Sequence, residues 1–204
     1  MRVRDIIAAF PSPISVNVIL ENTEELKKET NCVSNYLQGN YKNNNEYRLL
    51  EKYPRIKKIL LNQFKQVAKE NFGYTNDFII STSWITKMEK KGEIAQSHCH
   101  KNSFYSGVYY FDEYEEDEGG VLEIMTPLSN HFDFNVMPED WNVYTGRVLK
   151  FSPKKNLLIL FPSYLFHQVL SYEGTSIRKS LAFNIVPIGF YGDGDSAVNT
   201  KWLN

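Results

Sequence analysis

From residue 78 onward the chain breaks into apolar runs too short for helices and too regularly interrupted to merge. Phe78 to Met88, Phe104 to Phe111, Gly120 to Met125, Val148 to Phe151, Leu157 to Phe161 and Ile177 to Val186 are rich in β-branched and aromatic residues. Turn-forming clusters separate them: KKGE at 90–93, EEDEGG at 115–120, SPKKN at 152–156 and EGTS at 173–176. Branched and flat side chains suit a pleated, half-buried surface, and runs of this length bounded by such turns predict strands. Many short strands at this spacing predict a β-sandwich or barrel. The aromatic share of 14% and the hydrophobic share of 42% exclude a disordered chain.

Ahead of residue 76 the pattern changes. Ile14, Val16 and Val18 alternate with Ser15 and Asn17, which predicts a short strand. From Thr23 the stretch TEELKKETNCVSNYL predicts a helix, with Asn22 before it as a cap. NYKNNNEY at 40–47 reads as polar loop. A second helix is predicted from Pro54, tolerated in a first turn. Its Ile56, Ile59, Leu60, Phe64, Val67 and Ala68 share one face, and Gly73 is placed to end it. Both helices are expected to pack on the outside of the strands. A chain of 204 residues then makes one domain: helical support over 1–75, a β core carrying the site over 76–188, and a tail over 189–204 that wraps the surface.

Charge narrows the partners. Lysine plus arginine number 23 against 24 acidic residues, a net charge of -1, which gives no basic footprint for nucleic acid. No run approaches the roughly 18 apolar residues of a membrane helix. The stretch from Ile6 to Phe10 is cut by Pro11 and Pro13, too short for a signal-peptide core. Cys32 and Cys99 cannot build a disulfide framework, so a reducing compartment fits. The expectation is a soluble cytoplasmic protein.

The histidines are the chemically informative residues. In an extended strand, i and i+2 point to one face, so His98 and His100 can converge on one ion while Cys99 points away. Imidazoles suit zinc, copper, iron and nickel. Two incidental surface histidines at a strand end would give the same string. His131 reads as a loop residue without a metal role, Trp84 and Trp141 as core or rim aromatics. Gly119-Gly120 reads as turn chemistry, and the acidic run from Asp112 to Glu118 as a solvated loop.

The order of motifs carries more than any one of them. His98-Cys99-His100 is followed by Ser106-Gly107-Val108-Tyr109-Tyr110, then Phe161-Pro162-Ser163, then His167, then Arg178-Lys179-Ser180-Leu181-Ala182-Phe183-Asn184. In this order the chain resembles the oxygenases that use Fe(II) and 2-oxoglutarate, and more narrowly the uncharacterised members of phages and marine bacteria. The resemblance spans Trp84 to Val186 and omits residues 1–75. It implies a mainly β fold with N-terminal helices, the double-stranded β-helix or cupin-like jelly roll. It implies a dioxygenase that consumes O2 and 2-oxoglutarate to hydroxylate a small-molecule or peptide substrate, in a host cytoplasm if phage-encoded.

Residue by residue, the resemblance puts His98 and His167 in metal-ligand positions. Arg178 matches the basic residue that pairs with the far carboxylate of 2-oxoglutarate, a task that suits a permanently charged, planar, bidentate partner. Ser180 shares the Arg178 face, and Tyr110 stands where related enzymes offer a phenol to the same carboxylate. One position departs from the pattern. His100 stands where the family places an Asp or Glu ligand, so the third ligand is His100 itself, Asp112, Glu93 or water. Two other readings stay open: a three-histidine cupin-like metalloenzyme without 2-oxoglutarate, and a non-catalytic jelly-roll binding module.

Overall fold

The apolar runs pair into two antiparallel sheets that face each other across the site. The structure is a computed structural model that describes residues 11–34, 38–44, 46–115, 117–127, 139, 140, 142 and 145–200. The major sheet contains β1 (Ser15–Val18), β2 (Val33–Ser34), β3 (Lys42–Asn43), β4 (Asp77–Met88), β6 (Tyr105–Tyr109), β9 (Leu157–Pro162) and β11 (Arg178–Ile188). Its order is β1-β9-β6-β11-β4-β3-β2. The minor sheet contains β5 (Glu93–His98), β7 (Leu122–Met125), β8 (Val148–Phe151) and β10 (His167–Tyr172), ordered β5-β10-β7-β8. Non-consecutive neighbours in both sheets make this the expected jelly roll. The tail forms a small hairpin of β12 (Phe190–Tyr191) and β13 (Val198–Asn199). Among the described residues no helix is long and apolar enough to cross a membrane.

Strand alternation decides which side chains reach the site. On β11, Leu181, Phe183 and Ile185 enter the core on the outer face of the major sheet, whereas Arg178, Ser180 and Ala182 line a cavity between the sheets. A bulge interrupts β4, where Asn184 pairs with Thr82 but Ile185 with Ile80. The extra residue, Ser81, switches parity. Phe78 and Ile80 therefore enter the outer core, while Trp84, Thr86 and Met88 line the cavity.

The outer core is closed by α1 (Pro54–Glu70), which starts at the predicted proline. Ile56, Leu60, Phe64 and Ala68, one per turn, form its buried stripe, and Phe64 packs 5.0 Å from both Phe78 and Tyr105. The other predicted helix is a correction. The chain makes only a 3-10 turn, Glu24–Lys28, and then enters β2. Asn22 does accept the Glu24 backbone N–H at 2.9 Å, as a cap would. Leu26 is fully buried, but one turn later stand Glu29 and Thr30. Without an apolar residue at i+3 or i+4 there is no face to hold a second turn, and short helices do not persist unaided. The described part of the 40–47 segment is likewise more ordered than a polar loop. β3 lies within it, and Asn44 Oδ1 accepts the Ile85 backbone N–H at 2.6 Å.

One glycine is required by contact. A Cβ on Gly107 would sit 2.2 Å from Cζ of Phe183, a ring with no room to move in the outer core. Gly107→Ala should therefore destabilise the fold by on the order of 3 kcal/mol, the upper range for overpacking, seen as a lower urea midpoint. An unchanged midpoint would show that Phe183 has slack.

Candidate metal centre

Three histidines meet at one end of the cavity. His98 ends β5 and His167 begins β10, and the two are direct cross-strand partners. His100 lies two residues past the end of β5, held by its backbone N–H to Ser163 O at 2.9 Å. Ring centroids are 4.4 Å apart for His98 and His167, 5.0 Å for His100 and His167, and 5.2 Å for His98 and His100. One ligating nitrogen from each lies within 4.8 Å of the other two. Cys99 does not belong to the cluster.

Each ring is oriented by an oxygen that can only accept. His98 Nδ1 lies 2.7 Å from Gln96 O, His167 Nδ1 3.0 Å from Leu165 O, and His100 Nδ1 2.6 Å from Asn184 Oδ1. In the neutral form of each ring Nδ1 therefore carries the proton, which leaves the Nε2 lone pair for a metal. Fixing the tautomer through the other nitrogen is the usual support of a histidine ligand. Asn184 is held in turn by donating its amide to Thr82 Oγ1 at 3.0 Å. Burial pushes His167 down to about 3, helped by the neighbouring His98. Burial also lowers His100, against the hydrogen bond it donates to Asn184. Both rings are thus neutral at neutral pH, the form that ligates.

The carboxylates weighed as a third ligand are engaged elsewhere. Glu93 accepts the backbone N–H groups of Glu89 and Lys90 at 2.5 and 3.2 Å, closing the turn before β5. Asp112 faces Lys27 at 3.6 Å. Among the described residues the only group of metal-ligating side chains is His98, His100 and His167. His131 and Trp141 lie outside the described residues.

At its other end the cavity, about 50 Å³ in volume, meets Arg178. This guanidinium is 2% exposed, and its Nε and Nη1 have no hydrogen-bond partner. Nη2 donates to the Tyr110 hydroxyl at 3.4 Å, and the guanidinium carbon lies 5.4 Å from the centre of the Tyr110 ring. No described carboxylate forms an ion pair with it. A buried cation with unused donors is costly unless an anion completes it. Ser180 lines the same cavity and shares a 2.7 Å hydrogen bond with Thr86. Tyr110 is fully buried and does not line the cavity, so in this structure its phenol supports Arg178.

Two contributors escaped the sequence reading. Gly120 does occupy a turn conformation, with φ +63°, but a Cβ there would also lie 2.6 Å from Cδ and Nε of Arg178. The glycine makes room for the arginine. Glu118, from the acidic run, accepts from the backbone N–H groups of Thr175 and Ser176 at 3.0 and 3.3 Å and from the Ser176 and Tyr172 hydroxyls. It clamps the turn that delivers Arg178. The Ser176 hydroxyl foremost, then these backbone donors, hold its carboxyl below the usual range, so the clamp persists at neutral pH and is lost as pH falls through that lowered value.

Comparison with known proteins agrees with this geometry. A search of curated proteins finds no match. Among solved structures the fold is similar to a prolyl-4-hydroxylase from Pseudomonas putida, at 12% identity over 85% of this chain and 92% of that one, TM-score 0.52. It is similar to a Trichoplax adhaerens prolyl hydroxylase in complex with a hypoxia inducible factor peptide fragment, at 12% identity over 84% and 82%, TM-score 0.55. HygX from Streptomyces hygroscopicus, with nickel and 2-oxoglutarate bound, matches at 10% identity over 86% and 83%, TM-score 0.56. At these identities the likeness is one of fold. The family model described as "Putative 2OG-Fe(II) oxygenase" matches residues 82–184, half of the chain and the segment that holds all three histidines and Arg178. By that match the chain belongs to the 2OG-Fe(II) oxygenase family.

Proposed function

We propose that His98, His100 and His167 hold the iron of this oxygenase, that Arg178 and Ser180 hold the far carboxylate of 2-oxoglutarate, and that the reaction is a hydroxylation. The observation that carries the reading is Arg178: a buried guanidinium with two unpartnered donor nitrogens, in the cavity whose other end holds three imidazoles. A dicarboxylate placed with one end at the metal and the other at Arg178 supplies the missing anion. When bound, iron and 2-oxoglutarate supply the oxidation, one oxygen atom of O2 ending in succinate and the other in the substrate's new C–OH while CO2 leaves.

The chain's own residues orient and exclude. Phe161 packs edge-on against His167 at 4.9 Å and Trp84 lies 5.8 Å from His100. With Leu122 and Val169 in the cavity wall, they keep water from the reacting atoms. Tyr110 packs beneath the guanidinium, and Tyr114 packs edge-on against Tyr110 at 5.5 Å. A three-histidine enzyme without 2-oxoglutarate would leave Arg178 buried for no partner, and a binding module would need no set of oriented imidazoles. The substrate in this reading is a small molecule or peptide. The location is cytoplasmic, in a host cell if phage-encoded, which the two free cysteines, Cys32 and Cys99, support.

The test is aerobic incubation with Fe(II) and 2-oxoglutarate, with succinate and CO2 measured. Formation of both in equal amounts, dependent on iron and O2, is expected; no succinate with iron bound would refute the cosubstrate assignment. Gly120→Ala adds an independent arm. By displacing Arg178 it should weaken 2-oxoglutarate by about tenfold, the loss of roughly one charge-assisted hydrogen bond, with Fe(II) affinity unchanged. Equal 2-oxoglutarate affinity in variant and wild type would argue against Arg178 as the anchor.

A further inference from the structure

A second cleft, about 380 Å³ in volume, opens beside the metal centre, and Trp84, His100 and Asn184 line it. Trp84 and His100 also line the cavity that contains His98, His167 and Arg178, so the two spaces share a wall at the metal end. Asn43, Tyr47, Thr82 and Asn102 form much of the rest. Among the described residues no Asp, Glu, Lys or Arg lines the cleft, in a chain that is 23% charged. Among the described residues no aliphatic side chain lines it either. The walls offer amides, hydroxyls and two aromatic rings.

From this lining we infer that the substrate is a neutral, polyhydroxylated ring, a sugar unit, seated in the cleft beside Trp84 and Tyr47. The inference rests on the proposed iron and 2-oxoglutarate site for its chemistry, but the lining argues for the ligand independently. A charged substrate would meet no counter-charge among the described lining residues, and ions are desolvated only at great cost without one. An aliphatic substrate would displace water from the amides of Asn43 and Asn102 without replacing its hydrogen bonds. Asn43 is 4% exposed and lines the cleft, and a side-chain amide carries both a donor and an acceptor. Adjacent hydroxyls, each donor and acceptor, match side-chain amides and hydroxyls.

The geometry separates a sugar from two rivals. A flat nucleobase is gripped by stacking on aromatic faces, but Tyr47 and Trp84 meet at 63° with centroids 6.4 Å apart, which makes a corner and no parallel slot. A peptide read by strand addition needs a free sheet edge. The edge of β5 beside the cleft is taken, since Asn40 N–H donates to Ile94 O, Gln96 N–H donates to Gln38 O, and Gly39 bridges Ala95. Hydroxylation of a sugar carbon would follow the stoichiometry above: the C–H becomes C–OH, with 2-oxoglutarate oxidised to succinate and CO2.

The experiment is calorimetry on the full chain, with and without Fe(II) and 2-oxoglutarate, using glucose, galactose, N-acetylglucosamine, lactose and maltose as probes. Glucuronate, glucose 6-phosphate, adenosine and a proline-containing peptide serve as comparisons. At least one neutral saccharide is expected to bind at about 10 mM or tighter and to raise succinate release. Asn102→Ala, at an exposed position where folding is not at stake, should weaken it about fivefold, and Trp84→Ala at least tenfold. Binding of only the charged, nucleoside or peptide probes, or of none, would overturn the assignment. Saccharide binding that survives while 2-oxoglutarate fails to bind would uphold the cleft and refute the iron site instead.

Discussion

Arg178→Met should raise the thermal midpoint of the protein without 2-oxoglutarate, and the same variant should lose the further rise that 2-oxoglutarate gives wild type. Both signs follow from one fact, a guanidinium 2% exposed with Nε and Nη1 unpartnered. Replacing even a buried ion pair by well-packed apolar side chains is often stabilising by about 1–4 kcal/mol, and among the described residues Arg178 has no ion pair to lose. The same replacement removes the partner of a buried carboxylate, a loss of about 2–5 kcal/mol, so 2-oxoglutarate affinity should fall about 30-fold or more. Thermal melts with and without 2-oxoglutarate read both effects, because a ligand that binds the folded state raises its midpoint. A variant that 2-oxoglutarate still stabilises like wild type would remove Arg178 from the site. A purely structural arginine would instead lose stability on replacement.

His167→Ala and His98→Ala should each reduce Fe(II) affinity by more than about 100-fold, exceeding the loss seen when only a supporting residue is changed. The two are opposed across β5 and β10, so losing either leaves a site that its partner cannot complete. The far-ultraviolet spectrum should remain β-rich, since these rings face the cavity and the outer core is untouched. Cys99→Ala should bind iron like wild type. Unchanged affinity in either histidine variant would dismiss that residue as a ligand, and a loss in Cys99→Ala would show the register after β5 to be misread.

The strands that carry bulky apolar residues were legible in the sequence, and β4, β6, β7, β8, β9 and β11 fall within a few residues of their predicted places. β5 and β10 were not. Their sequences, EIAQSH and HQVLSY, hold few branched or aromatic residues, and they become strands because β7 and each other supply the ladders. These two strands bear His98 and His167, so the site lies where local propensity is weakest. The convergence of His98 and His100 was readable from their spacing. The pairing of His98 with His167, 69 positions on, is a register fact that only the fold supplies. Gly120 and Glu118 were read as turn and solvated loop because their task depends on Arg178 and on the 173–176 turn, contacts without a local signature. The helix expected after Thr23 failed for the opposite reason, since helix-favouring residues were present but no apolar stripe was.

The most direct measurement is an anaerobic titration of the Fe(II)-loaded protein with 2-oxoglutarate, followed by visible absorption. The account predicts a metal-to-ligand charge-transfer band that saturates at one equivalent of 2-oxoglutarate per chain, is absent in His167→Ala, and needs far more 2-oxoglutarate in Arg178→Met. An Fe(II) protein that shows no such band at any 2-oxoglutarate concentration would contradict it.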